Sequence, residues 1–304
     1  MTARGFLGGG FLSGFGSFSE VATNVATLPD ISTPSAPTDG VKLFSSDIAG
    51  RSMLSTIDSG GLLTPLQPSW AHKNIGMWSA AGGSALIHET GSIGLQNVTG
   101  TITARTPDTA SYCTSQTRVA IVSGAVATNL TTLRGASHLP KVWRGDAARR
   151  GGFTVAVRFN VSDAVLVATA NMFIGIINTS MSADAAPSTL TNLIGVGCDN
   201  GDTALQLYAA GSSAQARTSL GASFPVNTTS VDVYEMTLSA APNGSTVGYR
   251  VLRLNTGDVA SGTISAAANL PSSTTQMNPQ IFRSNGGTAA AVALDFSHIY
   301  VEAP

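Results

Sequence analysis

The residues that could do acid–base or metal chemistry are few and widely spaced. The histidines are His72, His88, His138 and His298. No two of them form a motif at metal-ligand spacing, and none neighbours a cysteine. His298 lies in the last alternating apolar segment, where we interpret it as a structural strand residue. The histidines therefore predict neither a metal centre nor a catalytic site.

The carboxylates give no stronger signal for catalysis. Hydrolysis of a glycosidic bond needs two carboxylates about 5 to 10 Å apart. The segments that look like strands carry only isolated acids, at Asp232, Glu235 and Asp295. No single strand supplies a closely spaced set of acids. The sequence therefore predicts that the protein is not an enzyme, with no catalytic residue and no cofactor.

The densest cluster of oxygen ligands is Asp199-Asn200-Gly201-Asp202. Calcium favours several oxygen ligands on a tight loop, so Asp199 and Asp202 are candidate ligands. The cluster lacks the longer ligand spacing of a dedicated calcium loop, and the same letters are typical of a hairpin turn. We favour the turn and predict no metal site.

Trp70 and Trp78 flank the polar stretch 72–74. Two tryptophans in such a setting could form a platform on which a sugar ring stacks. Burial at a subunit or domain contact is the favoured interpretation, because a large aromatic ring gains most from leaving water.

The composition limits the partners that the protein can have. Only 11% of its 304 residues are charged, against about 25% in an average protein. The net charge of −1 argues against a nucleic-acid partner, because phosphate binding needs a basic surface. A surface rich in Ser, Thr, Asn, Gly and Ala suits permanent assembly better than life as a free monomer.

Two further observations concern the compartment. Cys113 and Cys198 are too few for a disulfide framework and are interpreted as buried free thiols. The sequence has no run of about eighteen apolar residues and no recognisable signal peptide. We therefore expect no membrane span and synthesis in a cytoplasm without a secretion signal.

The element around which the chain is organised is the segment Phe153–Phe159. Phe153, Val155, Val157 and Phe159 alternate with smaller or polar residues, which is typical of a strand with one face in a core. Similar segments, separated by turns, continue to the C-terminus, near 117–122, 170–177, 193–198, 204–210, 231–238, 247–254, 260–264, 279–284 and 291–301. Strands at this spacing with almost no helical period predict a β-sandwich or barrel.

The N-terminal region has a different composition. Phe6, Phe11, Phe15 and Phe18 are separated by glycine and serine, and residues 28–37 are rich in proline. Such a glycine-rich tail gains order most readily when its aromatic rings insert into a partner. The alternative is a tail folded back on its own domain. The proline-rich stretch is predicted to be an extended linker.

Two long stretches resemble structural proteins of tailed bacteriophages. The first is 36–70, with Pro37, Gly40, Val41, Leu43-Phe44, Asp47-Ile48-Ala49-Gly50-Arg51 and Leu66-Gln67-Pro68. The second includes Gly151-Gly152-Phe153, Arg158-Phe159, Val161-Ser162-Asp163, Met172-Phe173-Ile174-Gly175, Ser188-Thr189-Leu190-Thr191-Asn192, Ile194-Gly195-Val196-Gly197, Val231-Asp232-Val233-Tyr234-Glu235, Gly248-Tyr249, Leu254-Asn255-Thr256-Gly257 and Leu270-Pro271. Together they cover about two thirds of the chain.

The resemblance implies a virion protein, such as a tail fibre, tail spike or minor tail component. It implies an all-β fold, an antiparallel β-sandwich of the concanavalin-like (laminin-G-like) jelly-roll type behind an extended N-terminal attachment segment. The expected domains are 1–35 (docking segment and linker), 36–80 (small β-hairpin connector) and 81–304 (sandwich).

The expected partners follow from this layout. Phe6, Phe11, Phe15 and Phe18 would dock into other virion proteins, the chain would form a homotrimer, and the sandwich would face a host-surface glycan. The alternatives are a head decoration or collar protein without a receptor role, or a carbohydrate-active enzyme.

Overall fold

The computed structural model describes residues 20–22, 25–48, 51–61, 63–66, 74–135 and 142–303. The chain divides into two compact units, at residues 1–69 and 70–304. The four phenylalanines predicted to dock into the virion lie outside the described residues, as do Trp70, His72 and His138. Docking by these rings therefore stays a prediction.

Among its described residues, the first unit forms two small antiparallel sheets. Strands β1 (Glu20–Ala22) and β2 (Val25–Thr27) form one of them, and β3 (Val41–Ile48), β4 (Arg51–Asp58) and β5 (Leu63–Pro65) form the other. Phe44, Met53 and Ile57 are buried. Strands β3 and β4 pair antiparallel and form a β-hairpin within the expected connector region 36–80.

The second unit consists mainly of a nine-stranded and a seven-stranded sheet, in which all strand pairs are antiparallel. Numbered in chain order, the nine-stranded sheet comprises β6 (Asn74–Ala80), β7 (Ile87–Gly91), β9 (Thr101–Arg105), β10 (Arg118–Val122), β12 (Phe153–Val161), β17 (Tyr234–Ala240), β18 (Val247–Arg253), β19 (Val259–Ile264) and β21 (Ala293–Ala303). The seven-stranded sheet comprises β8 (Leu95–Thr99), β11 (Leu130–Gly135), β13 (Asn171–Ile177), β14 (Leu193–Cys198), β15 (Gln206–Ala210), β16 (Thr218–Ser219) and β20 (Asn278–Ser284).

The strand order confirms the predicted antiparallel sandwich. The nine-stranded sheet runs β19-β18-β17-β12-β21-β10-β9, with β6 on β21 and β7 on β6. The seven-stranded sheet runs β16-β15-β14-β13-β20-β11-β8. Short 3₁₀ helices occur at Pro187–Thr189 and Ala267–Asn269. In the part of the chain that the structure describes, no helix is long and apolar enough to cross a membrane.

The sandwich begins earlier than the predicted boundary at residue 81. Strand β6 pairs with β21 from Asn74, opposite Ala303, to Ser79, opposite His298. The alternation Gly76, Trp78, Ala80 supplies its buried positions. The segment is therefore part of the large sheet and not of the connector region expected at 36–80.

Trp78 is buried, as the favoured interpretation expected, but at a different place. Its side chain is fully buried in the main core of the sandwich, together with Ile93 and Val301. The ring is therefore not a sugar platform, and it is buried in the core of the second unit and not at a subunit or domain contact. A side chain on Gly76 would overlap the indole ring, at 2.7 Å from Cη2, which explains why this position carries no side chain.

The two sheets share one core. Strand β12 shows the predicted alternation, with Phe153, Val155, Val157 and Phe159 buried and the intervening residues partly exposed. Residues of β13 and β14, including Ile174 and Val196, meet them from the seven-stranded sheet.

Strand β21 keeps its apolar residues in this core by means of a bulge. Leu294 and Phe296 are buried at even-numbered positions, and Ile299 and Val301 at odd-numbered positions. In a regular strand these two pairs would point to opposite faces of the sheet. The pairing with β12 shifts between Arg158 and Phe159, so that one residue, Ser297, is extra. A bulge of one residue restores the register and keeps both apolar pairs on the core face.

The outer face of the seven-stranded sheet is also covered. Phe173, Tyr208 and Phe282 lie on this face, and Met181 and Leu190 from the connection 178–192 pack with them. Strands β13 and β14 are consequently buried at every position. This covering connection ends beside the candidate site.

The expected thiol state is confirmed. Cys113 and Cys198 are both free and buried. Burial raises the pKa of each thiol to about 12, so both are protonated at neutral pH.

Candidate functional site

An open depression of about 600 Å³ lies on the outer face of the seven-stranded sheet, at its β15–β16 edge. Gln206 on β15 and Ser219 on β16 are opposite each other in the ladder and therefore share this face. The remaining lining comes from three connections and consists of Ser188, Asp202, Ala214, Gln215, Ala216 and Arg217.

One wall of the depression is the turn between β14 and β15. The Asp202 N–H donates to the Asp199 carbonyl oxygen at 3.1 Å, and Gly201 has a φ of +84°. Glycine takes this left-handed conformation without the strain that a side chain would add. The predicted turn at 199–202 is confirmed.

The guanidinium of Arg217 lies against both carboxylates of this turn. Its Nε is 2.9 Å from Asp202 Oδ2, its Nη2 is 3.0 Å from Asp202 Oδ1, and its Nη1 is 3.1 Å from Asp199 Oδ2. The hydrogen bond that Arg217 donates to Asp202 raises the pKa of Arg217 above its ordinary value. Arg217 is 39% exposed at the side chain, whereas Asp199 is only 7% exposed.

Asp199 is anchored from the opposite side as well. The Tyr208 hydroxyl donates to Asp199 Oδ1 at 2.9 Å, and the Ser188 N–H donates to the same oxygen at 3.2 Å. The Ser188 hydroxyl donates to Asp199 Oδ2. Burial, followed by the nearby negative charge of Asp199, raises the pKa of Tyr208, which keeps its proton as a donor. The carboxylate is therefore held by the sheet, the covering connection and the edge loop.

Several polar atoms remain available to a ligand. Gln206 Nε2 donates to the Ala204 carbonyl at 2.9 Å, while its Oε1 accepts no hydrogen bond from the described residues. Arg217 Nη1 and Nη2 each carry a second N–H group that has no acceptor in the described part of the chain. Ser219 Oγ accepts from the Gly221 N–H at 3.2 Å, so its own O–H can donate. The depression thus offers both donors and acceptors beside the methyl groups of Ala214 and Ala216.

The acids that could have formed a hydrolytic pair are used elsewhere. Asp295 is buried with Arg118 at 2.9 Å, Asp232 is buried with Arg253 at 2.9 Å, and Glu235 is 2.7 Å from Arg158. Each carboxylate has an arginine partner, and none lines the depression.

His298 occupies the predicted position in the last strand. It lies opposite Arg158 on β12 and Ser79 on β6. Burial, reinforced by the charge of Arg158, lowers the pKa of His298. His88 is exposed on β7. Among the described residues, no group of three or more His, Cys, Asp or Glu side chains could hold a metal ion.

Sequence reasoning found the turn but missed Arg217, Gln206 and Ser188. Strand pairing and the covering connection bring these residues to the turn, and neither is visible in a local pattern. One signal was present. Arg217 is the only basic residue between Arg158 and Arg250, and therefore the nearest cation in the chain to the acids of the turn.

No protein-family model matches the chain, and no curated protein matches it. Similar solved structures include a protein of unknown function from Shewanella oneidensis MR-1, with a TM-score of 0.50, 16% identity, and coverage of 78% of this chain and 90% of that chain. The lectin UEA-II complexed with galactose has a TM-score of 0.50 at 10% identity, covering 75% of this chain and 98% of that one. Arcelin-5, a lectin-like defence protein from Phaseolus vulgaris, has a TM-score of 0.50 at 6% identity, covering 76% and 98%. At these identities the likeness shows the fold alone, a concanavalin-like antiparallel β-sandwich.

Proposed function

We propose that this protein is a non-enzymatic structural component of a tailed-bacteriophage virion, a tail fibre or tail spike, whose sandwich attaches to glycans on the host surface. The observation that supports glycan binding is the open depression at the β15–β16 edge. Its lining offers Gln206 Oε1, the Ser219 hydroxyl and the free N–H groups of Arg217 at one shallow surface. Sugars, whose hydroxyl groups both donate and accept, suit such a mixed set.

The absence of catalysis is supported by how the acids are held. Asp199 and Asp202 share a guanidinium, and Asp199 accepts further donors from Tyr208 and Ser188. A general acid or base must exchange a proton with the substrate during the reaction. Carboxylates held in this way are suited to fixing the guanidinium of Arg217 in place.

The virion role is supported by the sequence resemblance and by the surface of the first unit. Val41 and Leu43 share one face of β3 and are 64% and 41% exposed. Exposed apolar side chains grouped on one face are typical of protein contacts. Together with the low charge of the chain, this favours permanent assembly with other virion proteins.

A homotrimer is the assembly that we propose. None of the residues lining the depression is aromatic, so a sugar would gain hydrogen bonds there without ring stacking. A single site of this kind binds weakly, and linking several sites raises the overall avidity without any new contact. The number of three comes from the resemblance to phage fibres and spikes, and multi-angle light scattering should give about three times the chain mass of 30.9 kDa. A monomer at micromolar concentration would contradict the proposal.

The glycan-binding proposal is tested with the full chain on an array of bacterial surface glycans. Ala216→Trp places an indole over the depression from an exposed position and should lower the apparent affinity at least tenfold, about 1.4 kcal/mol. The matched control is Ala125→Trp, on another exposed loop, which should bind as the wild type does. Binding that survives in Ala216→Trp would exclude this depression, and release of reducing ends would show an enzyme.

The virion proposal is tested on particles. Mass spectrometry of gradient-purified phage should find the chain, and a density map should place it in the tail. Density at the head or collar would instead favour a decoration or collar protein, and absence from the particles would contradict a virion role.

A further inference from the structure

The turn 199–202 has the composition of a calcium loop, and its two carboxylates face one position. In the structure that position belongs to Arg217, whose Nη1 is 3.1 Å from Asp199 Oδ2 and whose Nε is 2.9 Å from Asp202 Oδ2. The guanidinium comes from the chain itself, fifteen residues beyond Asp202. The positive charge between the carboxylates is therefore built in.

All four carboxylate oxygens of the turn accept hydrogen bonds from groups of the protein. Asp199 Oδ1 accepts from the Tyr208 hydroxyl at 2.9 Å, and Asp202 Oδ2 accepts from the Asp199 N–H at 2.9 Å. The remaining oxygens, Asp199 Oδ2 and Asp202 Oδ1, accept from Arg217. A calcium ion needs several oxygens with lone pairs directed at one point. This donor set does not fit such an ion, because its lone pairs are directed at N–H and O–H groups.

The charge of the cluster limits which ligands can bind. Asp199 and Asp202 carry two negative charges, and Arg217 supplies one positive charge. An anionic sugar would approach a guanidinium that is already paired, beside a surplus negative charge. Its carboxylate also has only acceptors to offer, whereas Gln206 Oε1 needs a donor. An uncharged sugar is not repelled by the surplus negative charge, and its hydroxyl groups can donate to Gln206 Oε1.

We propose that the depression binds a neutral, polyhydroxylated ligand without any metal ion, and that Arg217 acts as the fixed counter-ion where a cation would otherwise be needed. This inference rests on the proposed glycan binding. Hydroxyl groups of the ligand accept from the second N–H groups of Arg217 and donate to Gln206 Oε1. Asp202 holds the guanidinium in place and thereby positions these donors.

The experiment measures binding of the full chain to neutral, sialylated and uronate-containing glycans, in EDTA and in millimolar calcium. The wild type should prefer neutral glycans, with affinity in EDTA and in calcium equal within twofold. Asp202→Asn removes the surplus charge and should shift the ratio of acidic to neutral binding by about two- to fivefold toward acidic ligands. Arg150→Gln, in the exposed pair Arg150–Asp146, is the charge-change control and should leave the ratio unchanged.

A second measurement does not depend on glycans. Calcium should leave the melting temperature of the wild type unchanged and raise that of Arg217→Gln, in which the two carboxylates have lost their counter-ion. Circular dichroism of each variant checks that the sandwich is folded.

The outcomes separate the two proposals. Binding that EDTA abolishes, a preference for acidic glycans, or a calcium-dependent melting temperature in the wild type would overturn this inference and leave glycan binding standing. Failure of the wild type to bind any glycan would overturn the proposed function and this inference with it.

Discussion

Asp163 and Arg283 form an ion pair that joins the two sheets, with side chains that are 0% and 1% exposed. Arg283 Nε donates to Asp163 Oδ1 at 3.2 Å, and the Ala293 N–H donates to the same oxygen at 2.7 Å. Asp163→Ala would leave the guanidinium buried without its counter-charge. We expect the free energy of unfolding, measured with urea, to fall by about 3 to 5 kcal/mol.

The matched control is an ion pair at the surface. Asp146→Ala breaks the pair with Arg150, whose side chain is 60% exposed, and should cost less than about 1 kcal/mol. Equal losses for the two aspartates would mean that burial does not govern the strength of the inter-sheet pair.

His298 should make the stability depend on pH. Burial first, and then the charge of Arg158, lowers its pKa in the folded state, while Glu235 opposes the shift. Below the ordinary value of 6.5 the unfolded chain therefore binds a proton that the folded chain does not, so stability falls as the pH falls. Between pH 8 and 5, urea midpoints of the wild type should drop more than those of His298→Gln.

The comparison variant for this titration is His88→Gln, because His88 is exposed on β7. It should keep the pH dependence of the wild type. Identical profiles for His298→Gln and the wild type would show that His298 does not control this loss of stability.

At the scale of single strands, the segment 95–105 closes one edge of the sandwich by changing sheets. Strand β8 pairs with β11 in the seven-stranded sheet, and β9 pairs with β10 in the nine-stranded sheet. Gly100 lies between them with a φ of +89°, and a Cβ there would be 2.3 Å from Thr131 Oγ1 and 2.8 Å from the Val122 carbonyl oxygen. The crossover therefore needs both the backbone freedom and the small size of glycine.

Gly100→Ala and Gly257→Ala separate these two requirements. Gly257 has a φ of +82° and no atom near a would-be Cβ, so its replacement should cost about 1 kcal/mol from the backbone alone. Gly100→Ala should cost a further 1 to 3 kcal/mol or so, because the crowded site must move apart. Urea unfolding of both variants measures the difference, and equal costs would contradict a steric role for Gly100.

Sequence patterns predicted those strands whose burial follows hydropathy. Strand β12 alternates as expected, and β13 is the continuous apolar run of a strand covered on both faces. Strand β11 was missed because Thr132 and Arg134 are polar. Thr132 Oγ1 accepts from Gln280 Nε2 at 2.8 Å, and Arg134 Nη1 donates to the Ser180 hydroxyl, so both side chains make hydrogen bonds within the fold. The hydropathy of a residue does not show whether its polar groups find partners in the fold, so this strand could not be predicted from the pattern.

The candidate site was predictable only in part for the same reason. The turn at 199–202 is local and was found, whereas Arg217 and Ser188 reach it through pairing and covering segments. The bulge at Ser297 is another non-local feature. Only the pairing with β12 shows that the alternation of β21 shifts by one residue at this point.

At the scale of the whole molecule, several of the few charges are neutralised in pairs within the fold. Asp163, Asp232 and Asp295 are buried with arginine partners, and the net charge is −1. Little charge is left to keep separate copies apart in solution. The low charge in the composition favours assembly. The few charges that are present also have a structural role, because the buried arginine–aspartate pairs hold strands to neighbouring segments.

The two thiols can report how the sandwich opens. Cys198 belongs to the main core shared by both sheets, whereas Cys113 lies in the connection 106–117, outside that core cluster. Both are buried and have a thiol pKa of about 12, so neither should react with a thiol reagent in the native state. Cys198 should become reactive only on global unfolding, while local opening can expose Cys113 at an equal or lower free energy. Labelling at increasing urea concentrations, with the peptides assigned by mass spectrometry, measures both. Faster labelling of Cys198 than of Cys113 would contradict this order and would show that the seven-stranded sheet opens while the nine-stranded sheet is still folded.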